Sequence, residues 1–66
     1  MKVFMYDEVV INLAAVETIT TCTPDRKSGE QSIWFEMRNG NSKKIYVPTT
    51  ETKKILKEIY EKMLGD

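Results

Sequence analysis

Apolar and polar residues alternate through most of this chain, and the alternation gives way to a helical spacing near the C-terminal end. Alternation places successive side chains on opposite faces of a strand. Asp7-Glu8 suits a tight reversal between the first two alternating segments, and Pro24 and Pro48 suit strand ends because proline lacks the ladder donor. The pattern predicts five strands, at residues 2–6, 9–13, 17–23, 31–38 and 42–47.

The alternation breaks between the second and third predicted strands. Leu13, Val16 and Ile19 are spaced by three residues, which no flat strand can place on one face. A short helical turn or corner at residues 12–15 brings them to the same side. The threonine-rich segment that follows resumes as a strand because β-branched residues favour extended backbone. The polar segment 24–30 then predicts a long, mobile hairpin loop.

The C-terminal segment has the spacing of an amphipathic helix. Thr49 or Thr50 is placed to cap the first free N–H groups, Glu51 lies near the positive end of the helix dipole, and Gly65 lies where a C-terminal cap belongs. Apolar residues recur at intervals of three and four, which predicts one buried stripe. The stripe consists of Ile55, Leu56, Ile59, Tyr60, Met63 and Leu64.

Asn39-Gly40 predicts the turn of a central β-hairpin. A two-residue loop would place Phe35 opposite Lys44, whereas a three-residue loop at residues 39–41 places Phe35 opposite Ile45. We predict the three-residue loop, with the last of its residues in the left-handed conformation. In this register the strands pair Ile33 with Val47, Trp34 with Tyr46, Glu36 with Lys44, and Arg38 with Ser42.

The two faces of this hairpin divide between core and surface. Ile33, Phe35, Ile45 and Val47 share the face that we expect beneath the helix, which gives a single two-layer core. The order of elements predicts one α+β domain that spans residues 1–66. In this domain about five antiparallel, strongly bent β-strands precede one C-terminal α-helix.

The opposite face of the hairpin carries the predicted partner-binding residues. Trp, Tyr and Arg are the residue types enriched at binding hot spots. Two interpretations of the aromatic pair stay open. It only stabilises the hairpin, an interpretation that includes cover by residues 1–13 of the same chain, or it forms an exposed patch for a protein partner or a second copy. The predicted site residues are Trp34, Glu36, Arg38, Lys44 and Tyr46.

Net charge limits the partners that we expect, and cysteine content indicates the compartment. Ten basic and ten acidic residues give a net charge of zero, so no strong field favours nucleic acid or an acidic membrane, and little opposes self-association. Cys22 is the only cysteine, and the sequence shows neither a signal-peptide pattern nor an apolar run of bilayer length. We therefore expect a cytoplasmic protein in which homo-oligomerisation supports a small core.

Candidate catalytic chemistry is sparse. The sequence holds no His, which removes the usual general base and the histidine-activated nucleophiles. Cys22 alone cannot begin a thiolate metal site, so we expect it to be a buried or half-buried structural thiol. The three glycines are isolated and form no phosphate-binding loop. We predict no enzyme, no metal and no cofactor.

The leading functional hypothesis is a non-enzymatic protein-interaction module, which fits a phage or mobile-element origin with a host protein as the target. The least favoured of three classes is single-stranded nucleic acid binding on Trp34 and Tyr46 with Arg38 and Lys44 as cations, because the net charge is neutral. The second class, the main alternative to the module, is a homo-oligomer that holds a small ligand, such as a nucleotide, between its subunits. Its candidate polar and stacking groups are Thr20, Thr21, Thr23, Arg38, Asn41 and Tyr46.

Residues 11–19, Ile-Asn-Leu-Ala-Ala-Val-Glu-Thr-Ile, resemble a corner found in small bacterial and phage pleckstrin-homology-like (PH-like) proteins of unknown function. The resemblance extends to Ile33-Trp34-Phe35, to the Asn39-Gly40 turn and to the Thr-led C-terminal helix. It implies a reduced PH-like fold completed by dimerisation, because the chain is shorter than a full seven-stranded domain of that type. Lipid head-group binding is not implied, since residues 6–9 are acidic where that activity requires basic residues.

Overall fold

The computed structural model describes residues 2–65, so Met1 and Asp66, the ends of the predicted domain, lie outside the described residues. It confirms the α+β class and the order of five antiparallel strands followed by one helix. The strands form a two-stranded sheet, β1-β2, and a three-stranded sheet, β3-β4-β5, in which β4 is central. Their bounds are β1 Val3–Tyr6, β2 Val9–Asn12, β3 Val16–Thr21, β4 Glu30–Met37 and β5 Ser42–Pro48, and helix α1 is Thr52–Leu64.

The predicted reversal between the first two strands is confirmed. Tyr6 pairs with Val9, which leaves Asp7 and Glu8 as the loop. Asp7 has a φ of 57°, in the left-handed region. Aspartate reaches this region more readily than bulkier residues because its short polar side chain can bond locally.

The predicted corner is also present, as a 3₁₀ turn at Leu13–Ala15. The Asn12 side-chain oxygen caps this turn by accepting a hydrogen bond from the Ala14 N–H at 3.1 Å. The turn connects the two sheets, because β2 ends at its start and β3 begins directly after it. Leu13 and Val16 are both buried at the corner, as the three-residue spacing predicts.

A β-bulge at the start of β3 completes the explanation of that spacing. Val16 pairs with Met37 and Thr18 with Glu36, so Glu17 is an extra residue in the strand. The extra residue lets Val16 and Ile19 face the core together, although they lie three positions apart. The strand ends at Thr21 rather than at residue 23.

The polar loop between β3 and β4 is closed by backbone hydrogen bonds. The Asp25 N–H donates to the Glu30 carbonyl at 2.8 Å, and the Gly29 N–H donates to the Asp25 carbonyl at 2.9 Å. The Thr49 N–H donates to the Gly29 carbonyl at 2.9 Å, which ties the loop to the start of the C-terminal helical region. The mobility of this loop stays a prediction.

The central hairpin has the predicted three-residue loop, but its predicted position is wrong by one residue. The Met37 N–H donates to the Asn41 carbonyl at 2.8 Å, so the loop is Arg38-Asn39-Gly40. Gly40 occupies the left-handed position with a φ of 89°, in place of Asn41. Glycine meets no Cβ penalty in that conformation, which accounts for the choice.

The corrected loop moves every cross-strand partner of β4 by two positions along β5. Trp34 pairs with Lys44 instead of Tyr46, Glu36 with Ser42 instead of Lys44, and Arg38 lies in the loop instead of pairing with Ser42. Ile33 pairs with Ile45, and Phe35 pairs with Lys43 rather than with Ile45. A shift of two residues preserves the side-chain period, so the assignment of residues to the two faces is unchanged.

Helix α1 differs from its prediction at its N-terminal end. A 3₁₀ turn at Thr49–Glu51 precedes the helix, and neither Thr49 nor Thr50 forms the predicted side-chain cap. The Thr52 hydroxyl points inward and donates to the Gln31 side-chain oxygen at 2.8 Å. Gly65 lies at the predicted C-terminal cap, where its N–H donates to the Glu61 carbonyl, but its backbone is extended rather than left-handed.

One hydrophobic core joins both sheets and the helix. Of the predicted helical stripe, Ile55 and Ile59 are buried, Leu56 and Met63 are half-buried and pack against the core, and Tyr60 and Leu64 are exposed. Four of the six stripe residues therefore contact the core. The four predicted core positions of the hairpin are all buried. The core consists of Phe4, Ile11, Leu13, Val16, Ile33, Phe35, Ile45, Val47, Ile55 and Ile59.

Candidate functional site: the outer face of the three-stranded sheet

The sheet register brings three polar and aromatic residues into one row on the outer face. Thr20 of β3 pairs with Trp34 of β4, and Trp34 pairs with Lys44 of β5. Their neighbours Ile19, Phe35 and Lys43 lie in the next row and project to the opposite face. The row therefore crosses the full width of the sheet at its centre.

Lys44 lies between two aromatic rings of this face. Its ammonium nitrogen is 4.6 Å from the centroid of the Trp34 ring and 5.1 Å from that of Tyr46. Contacts of this kind contribute about 0.5–1 kcal/mol each at exposed sites. The predicted Trp34–Tyr46 pair is thus a diagonal pair with a cation between its members, a consequence of the shifted register.

The outer face is open. Tyr46 is 57% exposed, and Trp34 is half-buried. The strands β1 and β2 do not cover it, because their buried residues Phe4 and Ile11 belong to the core on the opposite face, together with the helix. Among the described residues the N-terminal strands therefore leave this face uncovered. Whether the aromatic residues only stabilise the hairpin or bind a partner stays open on this observation.

Two shallow depressions flank the Trp34–Lys44 row. The first, of about 380 Å³, lies beside the hairpin loop and is lined in part by Trp34, Glu36 and Arg38. The second, of about 300 Å³, lies towards the β1–β2 loop, where Tyr6 and Asp7 meet Lys44 and Tyr46. The five predicted site residues are thus divided between two adjoining depressions, and Tyr6 and Asp7 are contributors that the sequence pattern did not indicate.

Arg38 enters the site through the loop rather than through the strand. Its backbone N–H donates to the Ala15 carbonyl at 2.9 Å, which fixes the loop against the 3₁₀ corner. Its side chain is exposed at the edge of the first depression, where Glu17 also lies. The charges around that depression are mixed, which suits a protein surface better than a polyanion.

The environment of Tyr6 gives the second depression an acidic side. Burial raises the pKa of the Tyr6 hydroxyl, and the nearby carboxylates of Glu51, Asp7 and Glu30 raise this pKa further. Each of these effects disfavours the phenolate. An ordinary tyrosine hydroxyl is already protonated at neutral pH, and these effects keep the Tyr6 hydroxyl a hydrogen-bond donor to a higher pH.

The other side chains that could bind a metal or take part in catalysis do not form a cluster within residues 2–65. Cys22 is free and half-buried, in agreement with the predicted structural thiol. In this part of the chain no three His, Cys, Asp or Glu side chains approach closely enough to hold a metal ion, and no helix is long and apolar enough to cross a membrane. Tyr46 and Asn41, two of the candidate nucleotide-binding residues, line different depressions.

Comparison of the chain with protein-family models, with curated proteins and with solved structures found no match in any of the three.

Proposed function

We propose that this chain is a non-enzymatic protein-interaction module that binds its partner through Trp34, Lys44 and Tyr46. The observation that carries the proposal is the position of the Lys44 ammonium between two aromatic rings on an open sheet face. Trp and Tyr are the residue types that most often dominate binding energy. The contacts with both rings also hold the lysine in place before binding, which reduces the entropy lost on association.

The arrangement indicates the chemistry of the partner. A partner group that covers Trp34 and Tyr46 also desolvates the Lys44 ammonium, so it must supply an acceptor for that charge. A carboxylate flanked by apolar side chains meets both requirements. We infer an acidic, partly apolar protein segment as the ligand, and a host protein of a phage or mobile element is one source of such a segment.

A cytoplasmic location and a reduced PH-like ancestry belong to the same proposal. The lone, free Cys22 suits a reducing compartment. The Asn12-capped corner and the Thr-led C-terminal helical region are the structural features that the resemblance requires.

The test compares two tyrosines of similar exposure on different faces. Tyr46 is 57% exposed on the proposed site, and Tyr60 is 62% exposed on helix α1. Proteins captured from a bacterial lysate by the wild type are identified, and the strongest one is purified for calorimetry. We expect Trp34→Ala and Tyr46→Ala to weaken its binding by at least about 2 kcal/mol, and Tyr60→Ala to leave it unchanged.

Binding that survives Trp34→Ala and Tyr46→Ala but is lost in Tyr60→Ala would transfer the function to the helix and refute the proposal. Lys44→Gln refines the result because it keeps most of the side-chain length and removes the charge. We expect it to weaken binding and to reduce the dependence of affinity on salt.

A further inference from the structure

β3 is one of the two outer strands of the three-stranded sheet, and within the described chain one of its edges is unpaired. β3 pairs only with β4. The Cys22 N–H donates to the Ser32 carbonyl at 3.0 Å, which identifies Cys22 and, by alternation, Thr20 and Thr18 as the residues bonded to β4. The N–H and C=O groups of Ile19 and Thr21 therefore point away from β4, outward in the plane of the sheet.

The two outer strands of this sheet differ in how their edges are protected. β5 carries Lys43 and Lys44, and the Lys43 ammonium donates to the Val10 carbonyl at 3.2 Å, which brings β2 to that side. β3 contains no lysine and no proline, and its single charged residue is Glu17, at the bulge. Charge, proline, a β-bulge and cover are usual devices against edge pairing. The bulge and the charge of Glu17 protect only the start of β3, and the exposed residues Thr18, Thr20 and Thr21 beyond it carry no such device.

We propose that a second copy of this chain pairs with β3 in antiparallel orientation, about a two-fold axis at Thr20. In this register Ile19 of each copy faces Thr21 of the other, and their outward N–H and C=O groups form two hydrogen-bonded pairs. Thr20 faces Thr20 of the second copy as a non-hydrogen-bonded pair. The two three-stranded sheets become one sheet of six strands.

Charge and side-chain pairing favour a second copy as the occupant. The chain has ten basic and ten acidic residues, so two copies carry no net repulsion. Threonine pairs on facing strands are favourable. In the two-fold register Glu17 lies opposite Thr23, so the two Glu17 carboxylates are about 20 Å apart along the strands.

The pairing also has a consequence for the outer face. The two-fold axis is perpendicular to the sheet, so both copies present Trp34 on the same side. Trp34 is directly opposite Thr20 in each copy, which places the two tryptophans in one row, three strand spacings or about 14 Å apart. This consequence rests on the proposed function, whereas the pairing itself does not.

A symmetric disulfide tests the register. In a Cys22→Ser background, Thr20→Cys places two thiols in a non-hydrogen-bonded pair with Cα atoms about 4.5 Å apart, close enough for a disulfide. Thr18→Cys in the same background is the matched control, since its two thiols lie about 13 Å apart along the strands. We expect mild oxidation to cross-link the Thr20→Cys protein as a dimer and to leave the Thr18→Cys protein monomeric in a denaturing gel. Equal cross-linking of the two variants would overturn the register.

Sedimentation of the wild type tests the pairing without a cross-link. We expect a dimer that dissociates on dilution, and a monomer at every concentration would overturn the proposal.

A charged substitution at the axis tests the same pairing. Thr20 is exposed, so Thr20→Lys leaves the fold intact, as judged by circular dichroism, while it places two ammonium groups opposite each other at the axis. We expect dimerisation to weaken at least about tenfold, and unchanged dimerisation would contradict it. Trp34→Ala should dimerise normally, so failure of partner binding and failure of pairing are distinguishable.

Discussion

At the scale of single residues, Gln31 makes the contact that most clearly escapes sequence analysis. Its side-chain amide donates to the Cys22 carbonyl at 2.8 Å and accepts from the Thr52 hydroxyl at 2.8 Å. Gln31 therefore links the end of β3, the start of β4 and the first turn of helix α1. Thr52 is buried, and its hydroxyl has two acceptors, the Gln31 side-chain oxygen at 2.8 Å and the Pro48 carbonyl at 3.4 Å, of which Gln31 is the nearer.

We expect Gln31→Ala to lower the free energy of unfolding by about 1–3 kcal/mol. It removes the donor to the half-buried Cys22 carbonyl and leaves the buried Thr52 hydroxyl only the longer bond to the Pro48 carbonyl, at 3.4 Å. Urea denaturation measures the change. Ser32→Ala is the control, since Ser32 is also half-buried and its hydroxyl makes no hydrogen bond with residues 2–65; we expect it to stay within about 0.5 kcal/mol of the wild type.

Thr52→Val removes the hydrogen bond between Thr52 and Gln31 and keeps the one between Gln31 and the Cys22 carbonyl, so it distinguishes the effects of the two bonds. The substitution keeps the shape of the side chain and removes the hydroxyl, so a double-mutant cycle with Gln31→Ala reports the coupling between the two side chains. We expect a coupling free energy of about 0.5–3 kcal/mol. Additive effects would show that the Gln31–Thr52 hydrogen bond contributes nothing to stability.

At the scale of elements, the central hairpin shows which features a sequence determines and which it leaves open. The loops at residues 38–40 and 39–41 have the same length and give the same faces, so the buried positions Ile33 and Phe35 could be predicted from alternation. The two loops differ only in which residue adopts the left-handed conformation. That choice decides the cross-strand partner of Trp34, and hence the position of Lys44 over its ring.

A pair of alanine substitutions tests the loop. Gly40 has a φ of 89°, and no atom lies within 4 Å of a Cβ added there, so Gly40→Ala introduces backbone strain without a clash. We expect it to cost about 1–2 kcal/mol of unfolding free energy. Asn41→Ala, which would be costly if the loop were at residues 39–41, should cost less than about 0.5 kcal/mol. If thermal or urea denaturation shows that Asn41→Ala costs more than Gly40→Ala, the result would favour a loop at residues 39–41 instead.

The other elements also include features that the sequence predicts and features that it does not. The corner at Leu13–Ala15 could be predicted because three apolar residues at a spacing of three exclude a flat strand. The bulge at Glu17 could not, since an extra strand residue leaves no compositional mark. The exposure of Tyr60 and Leu64 could not be predicted from the sequence either. The spacing of apolar residues shows which of them share a helix face, but not how much of that face the neighbouring elements cover.

At the scale of the whole molecule, the division of the sheet into two faces links the fold to the proposed function. The inner face and both N-terminal strands share one core with the helix. The outer face, with Trp34, Lys44 and Tyr46, stays open, and the shallow depressions beside it give a partner surface to fill. Sequence alternation predicts four residues of this face, Trp34, Glu36, Lys44 and Tyr46, whereas the predicted fifth, Arg38, lies in the hairpin loop beside it. It does not predict how Lys44 connects the two aromatic rings.

The most direct test of this division is nuclear magnetic resonance of the isotope-labelled protein during addition of its captured partner. Trp34 is the only tryptophan, so its indole N–H gives a single, separate signal. We expect this signal to shift or broaden together with the amides of Lys44 and Tyr46, while the amides of Tyr60 and Leu64 stay unchanged. An indole signal that does not move while the helix amides shift would contradict binding at the outer face.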